Sequence, residues 1–162
     1  SFGTLISTYK ERLYWHIRKI VLIHEDTDDV LQNTFVKIFR HIDGFKGDSK
    51  LFSWMYRIAT NEAISYLNKK AKHAGTDIQN YGEQRAENLV ADTFFDGDEI
   101  QLQLQLAIAK LPQKQQLVFN MRYFDALKYE DMSEILETSV GALKASYHHA
   151  RKKIELYFKN EL

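Results

Sequence analysis

Apolar residues recur at Leu5, Ile6, Tyr9, Leu13, Ile17, Ile20 and Val21, spaced by three and four, which predicts an amphipathic helix from Leu5 to Ile23. The polar run "HEDTDD" breaks the pattern, and its acids suit a second helix start by capping and by complementing the helix dipole. Leu31, Phe35, Ile38 and Ile42 supply the inner stripe of that second helix. "HIDGFKGDS" then reads as a loop, with Gly44 and Gly47 inside it and Ser49 placed to cap the next helix. That long third helix is expected from Lys50 to Lys72, burying Leu51, Met55, Ile58 and Leu67.

Periodicity fades after Lys72. Residues His73 to Asp98 are rich in acids and read as a linker, with local order expected around "LVADTFF". "IQLQLQLAIAK" alternates with period two, as a strand would. Its Leu, Gln, Ala and Lys are nevertheless strong helix formers, Ile100, Leu104 and Ile108 lie four apart, and Pro112 supplies a stop, so a helix is predicted. Pro112 in turn suits the first position of a helix carrying Leu117, Val118, Met121 and Phe124. Two further helices come after it around a tight turn, in "SEILETSVGALKASYHHARKK". The expectation is an all-α chain of two small helical domains, residues 1–72 and 100–162, joined by an acidic linker at 73–99.

Composition narrows the function classes. The 162 residues contain no cysteine, which excludes disulfides, thiolate metal sites and a cysteine nucleophile. The longest aliphatic run, Ile20 to Ile23, is far short of a membrane span. No leader-like segment opens the chain, which begins at Ser1, and a trimmed cytoplasmic protein is expected. Net charge is zero overall, yet residues 1–72 carry +4, 73–99 carry −6 and 100–162 carry +2. An acidic strap therefore joins two mildly basic lobes, and its tethered acids are expected to compete with any polyanion for those lobes.

The sequence offers no catalytic constellation. His148 and His149 are adjacent and point to different faces, so they cannot share a metal as histidines four apart could. "DTFFDGDE" lacks the alternating oxygen ligands and closing Glu of a calcium loop, and no phosphate-binding glycine loop is present. We expect no enzyme, no cofactor and no metal.

In the terminal helix pair, Met132, Ile135 and Leu136 form the inner face of the first helix and Val140 marks the turn. Leu143, Tyr147, Ala150, Ile154 and Tyr157 line the second, whose start Ser139 can cap. The outer face carries Lys144, His148, Arg151 and Lys152, with small residues Gly141, Ala142 and Ala145 early, which lets such a helix approach base edges in a major groove. The same pattern fits an ordinary solvated hairpin or a dimeric operator-binding regulator. Near the middle of the chain, "FKGDSKLFSWMYRIATN" offers Phe45, Phe52, Trp54 and Tyr56 for stacking, and Lys46, Lys50 and Arg57 for phosphates.

Beyond these patterns, "DTDDVLQNTFVKIFRHIDGFKGDSKLFSWMYRIATNEAISYL" resembles region two of bacterial sigma factors of the extracytoplasmic-function (ECF) group, in the sigma-70 family. "LPQKQQLVFNMRYFDALKYEDMSEILETSVGALKASYHHARKKI" resembles region four of the same group, in the same order. The resemblance implies a transcription initiation subunit that binds core RNA polymerase and promoter DNA, and is a monomer when free. Family members are commonly held inactive by an anti-sigma factor, often membrane-anchored, and such a partner is expected here. By matching position, Asp29, Gln32 and Asn33 would grip the polymerase, with Asn33 standing where Glu is frequent. Phe45, Lys46, Ser49, Lys50 and Asn61 would hold the minus-ten element, the loop capturing a flipped base that Asn61 helps to present. Ser139, Lys144, Ala145, His148, His149, Arg151 and Lys152 would meet the minus-thirty-five element. The chain departs from the family pattern at Glu137, where glycine is usual, at Lys128, where a capping Ser or Thr is common, and at Ser146 and His149, where Arg is common.

Overall fold

The computed structural model describes residues 2–45, 50–91 and 97–161. Among them are eight α-helices and no strand: α1 (Phe2–Val21), α2 (His24–His41), α3 (Leu51–His73), α4 (Ile78–Glu87), α5 (Glu99–Ala109), α6 (Gln113–Phe119), α7 (Tyr129–Leu136) and α8 (Val140–Glu161). The alternating segment is helical, as α5, with the Asp98 side chain accepting from the Gln101 amide at its start.

The first lobe is α1, α2 and α3 packed together around Leu13, Ile17, Val21, Val30, Ile38 and Met55. Helix α3 buries Ser53, Met55, Tyr56, Ala59, Thr60, Ala63, Leu67 and Ala71, whereas Leu51 and Ile58 are only half-buried. The many small residues let four neighbours (α1, α2, α4 and α7) approach α3 closely, so its buried surface is wider than one apolar stripe. At the start of α2 the expected side-chain cap is not made. The capping position is Ile23, and Asp26 turns inward to accept from Tyr66 Oη at 2.6 Å and Arg85 Nη2 at 3.0 Å. Asp26 thus spends its charge on tertiary contacts while Glu25 remains in the first turn.

Those contacts order much of the acidic strap. Residues read as a linker contain α4, capped by Asp77, followed by a 3-10 turn at Asn88–Ala91. The weak periodicity of this segment reflects a short helix held by few side chains: Tyr81 and Ala86 are buried, and Gln79 donates to the Ala109 carbonyl at the end of α5. Of the "LVADTFF" segment, Asp92 to Phe95 lie outside the described residues.

The second lobe packs α6 and α5 against α8, and α7 against α8. Pro112 sits one position earlier than expected, as the N-cap of α6. After Phe119 the backbone widens into a π turn over Asn120–Phe124, closed by the Asp125 amide donating to the Asn120 carbonyl at 3.2 Å. The extra residue per turn rotates the following side chains. Phe124, expected on the inner face, is consequently exposed, while Met121 stays buried.

Candidate nucleic-acid and partner interfaces

Asp29, Gln32 and Asn33 lie on the outward face of α2, all exposed, because Val30, Leu31, Thr34 and Ile38 take the inward face. Val36 continues the same outward row four residues after Gln32, and it and Phe39 are 45% and 50% exposed. Val36 and Phe39 thus add apolar surface beside this polar row. Sequence reasoning missed these two residues, although Val36 falls outside the stripe set by Leu31, Phe35 and Ile38.

The second surface surrounds the start of α3. Lys46 and Ser49 lie outside the described residues, so the loop they belong to contributes only its flanks. Phe45 is half-buried with its ring 5.3 Å from that of Trp54. Phe52 is half-buried beneath the Arg12 guanidinium at 4.4 Å, and Tyr56 is fully buried, its hydroxyl pushed well above the usual phenol range by burial and by Asp125. One of the four aromatics is therefore core and three remain partly accessible. Lys50, at the N-cap of α3, makes no side-chain cap and reaches Asp131 Oδ1 of α7 at 3.0 Å, a contact that holds its ammonium charged to higher pH than usual. Asn61 is exposed three turns into α3, on a cleft of about 390 Å³ whose far wall is Gln113, Lys114, Leu136 and Glu137 of the second lobe.

The third surface is α8. Ser139 Oγ accepts from the Ala142 amide at 3.2 Å, the cap expected from the sequence. Leu143 and Ala150 are fully buried and Ile154 nearly so. Ser139, Lys144, Ala145, His148, His149, Arg151 and Lys152 are exposed together. Lys144 Nζ lies 5.7 Å over the Tyr129 ring, and Arg151 approaches Glu155 at 3.9 Å, both on the surface. Before α8 the backbone turns through Glu137 at φ 51° and ψ 48°, a left-handed conformation that explains why glycine suits this position. Helix α7 begins at Lys128 without a side-chain cap.

No local pattern hints that the lobes touch, yet they do. Helix α7 packs along α3, and Met132 and Ile135 join Met55, Ala59 and Ala63 in one core. Arg57 of α3 donates to the Glu134 carbonyl from Nε at 3.1 Å and from Nη2 at 2.7 Å, and lies 3.9 Å from Glu137. Near the π turn, Asp125 accepts from Lys19 Nζ at 2.8 Å and faces His16 Nδ1 at 3.6 Å, beyond hydrogen-bond length. His16 is buried, its ring stacked on Tyr56 and its Nε2 2.7 Å from the Thr60 hydroxyl. Burial holds the imidazole below its ordinary range, more than Asp125 raises it. Burial alone would push the Asp125 carboxyl up, but His16 and Lys19 together bring it below the usual carboxylate range.

Comparison with known proteins agrees with this architecture. Residues 5–73 match the family described as Sigma-70 region 2, and residues 101–154 match Sigma-70, region 4. The ECF RNA polymerase sigma factor SigW of Bacillus subtilis is 28% identical over 95% of this chain and 87% of its own length. The ECF RNA polymerase sigma-E factor of Haemophilus influenzae is 28% identical over 96% of this chain and 86% of its own. The fold is shared with the sigma factor RpoE of Bartonella quintana, solved with the anti-sigma factor NepR, at a TM-score of 0.74 and 19% identity over 98% of this chain and 96% of that one. It is also shared with CnrH, solved with the cytosolic domain of CnrY, at a TM-score of 0.73 and 20% identity over 99% and 89%. With both regions matched in order around an all-helical fold, the chain belongs to the sigma-70 family, in its extracytoplasmic-function group.

Proposed function

We propose that the three exposed surfaces divide the work of a sigma factor among named residues. As a member of its group the chain is a transcription initiation factor: it binds core RNA polymerase and directs it to promoters through the minus-ten and minus-thirty-five elements. Asp29, Gln32 and Asn33 of α2, with Val36 beside them, hold the polymerase. Phe45, Lys46, Ser49, Lys50 and Asn61 act on the minus-ten strand, with Arg57 as a phosphate contact. Ser139, Lys144, Ala145, His148, His149, Arg151 and Lys152 face the minus-thirty-five duplex. The domains are residues 1–72 and 100–162, with 73–99 between them. The chain carries no catalysis of its own and works in the cytoplasm. It is a monomer when free, and an anti-sigma factor holds it inactive. In support, the structurally similar RpoE is solved in complex with an anti-sigma factor, and CnrH with the cytosolic domain of CnrY.

The observation that supports this most is the outer face of α8. Seven side chains stay exposed around a cap and a buried inner row, which presents cations and small residues on one rigid helix. Among those cations, Lys144 can bond guanine edges, while Arg151 and Lys152 position the helix on phosphates. On α2, Asp29→Arg with Gln32→Ala should weaken binding to core polymerase at least tenfold while the melting temperature stays nearly fixed, since exposed substitutions cost within about 0.5 kcal/mol. Undiminished affinity for core in that double variant rejects the α2 assignment.

A further inference from the structure

Residues 73–99 carry seven acids and a single Lys or Arg, Arg85, and that cation fastens the segment to the first lobe. Helix α4 falls between the two matched regions, 5–73 and 101–154, yet it packs against both α3 and α5. The acids expected to compete with a polyanion stay local: Asp77 and Asp98 cap α4 and α5, and Glu83 accepts from Gln79. Arg85 instead crosses to α2, with its Nη2 3.0 Å from Asp26 Oδ2. It also donates to the Tyr81 hydroxyl, its guanidinium 4.9 Å over the Tyr81 ring. The other Asp26 oxygen accepts from the Tyr66 hydroxyl of α3, so one carboxylate joins three helices.

Its place in the chain gives this carboxylate its consequence. Asp26 stands in the first turn of α2, whose capping position, Ile23, supplies no side-chain acceptor. The first-turn amides of that helix therefore lack a capping side chain. Asp29, Gln32 and Asn33 follow directly, so the polymerase-facing row begins at the uncapped end of α2. The Asp26 side chain is 12% exposed and that of Arg85 27%, which makes the pair partly buried. Removing the cation leaves a desolvated carboxylate with Tyr66 as its donor. That carboxylate regains water by moving outward, and the first turn of α2 moves with it.

We propose that Arg85 is a positioning residue for polymerase binding: through Asp26 it fixes the first turn of α2, and with it Asp29, against α3. The polymerase-binding unit then runs from α1 through α4 and ends at Glu87 rather than at Lys72. The inference rests on the polymerase role proposed for Asp29, Gln32 and Asn33.

Two full-length variants test it. Arg85→Gln removes the cation, and Arg85→Gln with Asp26→Asn replaces the ion pair by two amides that can bond each other and Tyr66. Affinity for core RNA polymerase is measured by competition against the labelled parent chain, well below every melting temperature. Anisotropy with a fluorescein-labelled random duplex pool reports α8 in the same samples. Arg85→Gln should bind core about three- to tenfold more weakly, the scale of one partly exposed charged hydrogen bond, with duplex affinity unchanged. Its amides from Thr27 to Asp29 should exchange with deuterium faster than in the parent, while those of α8 keep their rates. The double variant should return to within about twofold of the parent, because no charge is left stranded. A lower melting temperature with core affinity unchanged makes Arg85 a stabilising residue only and overturns the positioning role. Core and duplex affinities that fall together report loss of the fold and overturn it as well. Asp29→Arg with Gln32→Ala is measured alongside: if it binds core like the parent, the α2 assignment fails and the inference with it. If it binds weakly while Arg85→Gln does not, only the positioning role fails.

Discussion

Removing the Asp125 carboxylate should loosen the tie between α1 and the π turn. Asp125 is fixed by the π turn, its amide bonded to the Asn120 carbonyl, and its side chain is 11% exposed. It accepts from Lys19 at 2.8 Å, and Lys19 is itself only 15% exposed. In Asp125→Ala the ammonium keeps its burial and loses its anion. A hydrogen bond to a charged group contributes about 1.5–3 kcal/mol, and an orphaned charge adds a desolvation penalty. Lys19 also lies 5.7 Å over the Phe124 ring, so part of its stabilisation survives. About 2 kcal/mol is therefore expected, which for a chain of this size lowers the melting temperature by about 4–8 °C. The assay is thermal unfolding followed by circular dichroism, with Lys19→Met and the double variant completing a cycle. The double variant should recover at least half of the loss, because it removes the stranded charge as well. A single-variant shift under about 1 °C, or strict additivity of the two losses, refutes the idea that this pair ties α1 to the π turn.

Three other outcomes are expected from the same geometry. His16 has a depressed pKa in the fold, so below its ordinary value near 6.5 the unfolded chain takes a proton that the folded chain refuses; stability should fall as pH drops from about 7.5 toward about 5.5, and His16→Gln should flatten that slope, as measured by urea midpoints. Lys128→Ser should supply α7 with the cap it lacks and raise stability by about 1 kcal/mol, whereas Ser139→Ala should lose a similar amount from α8 in the same denaturation assay. Asn61→Ala should depress transcription from closed duplex promoters far more than from templates mismatched at the minus-ten element, and equal loss on both would remove Asn61 from strand opening.

Local pattern carried most of the helices. The spacing of Leu13, Ile17 and Val21, or of Leu143, Ala150 and Ile154, reports a buried row directly, and those rows are buried. Composition was also enough to turn "IQLQLQLAIAK" from strand to helix. What pattern could not carry is anything set by a distant partner. Helix α4 exists because Arg85 and Tyr81 meet Asp26 and α3, and no periodicity in ten residues announces that. The π turn moved Phe124 outward by inserting one residue into an otherwise regular helix. Lys50 and Arg57 were legible as cations near aromatics, but their partners lie 81 and 77 positions away, on a helix assigned to another domain. The outward residues of α2 and α8 were legible because an amphipathic helix declares its solvent face whatever the rest of the chain does.

The most direct test of the account is transcription by purified core RNA polymerase on a library of promoter fragments, with and without this chain. The account predicts specific starts only when the chain is present, downstream of a shared pair of elements. It also predicts that Lys144→Ala shifts preference within the minus-thirty-five element, while Arg151→Ala weakens all promoters alike and reduces the salt slope by about one. Core polymerase that gains no specific starts, together with a chain that fails to co-elute with core and instead binds duplex DNA as a dimer, would contradict it.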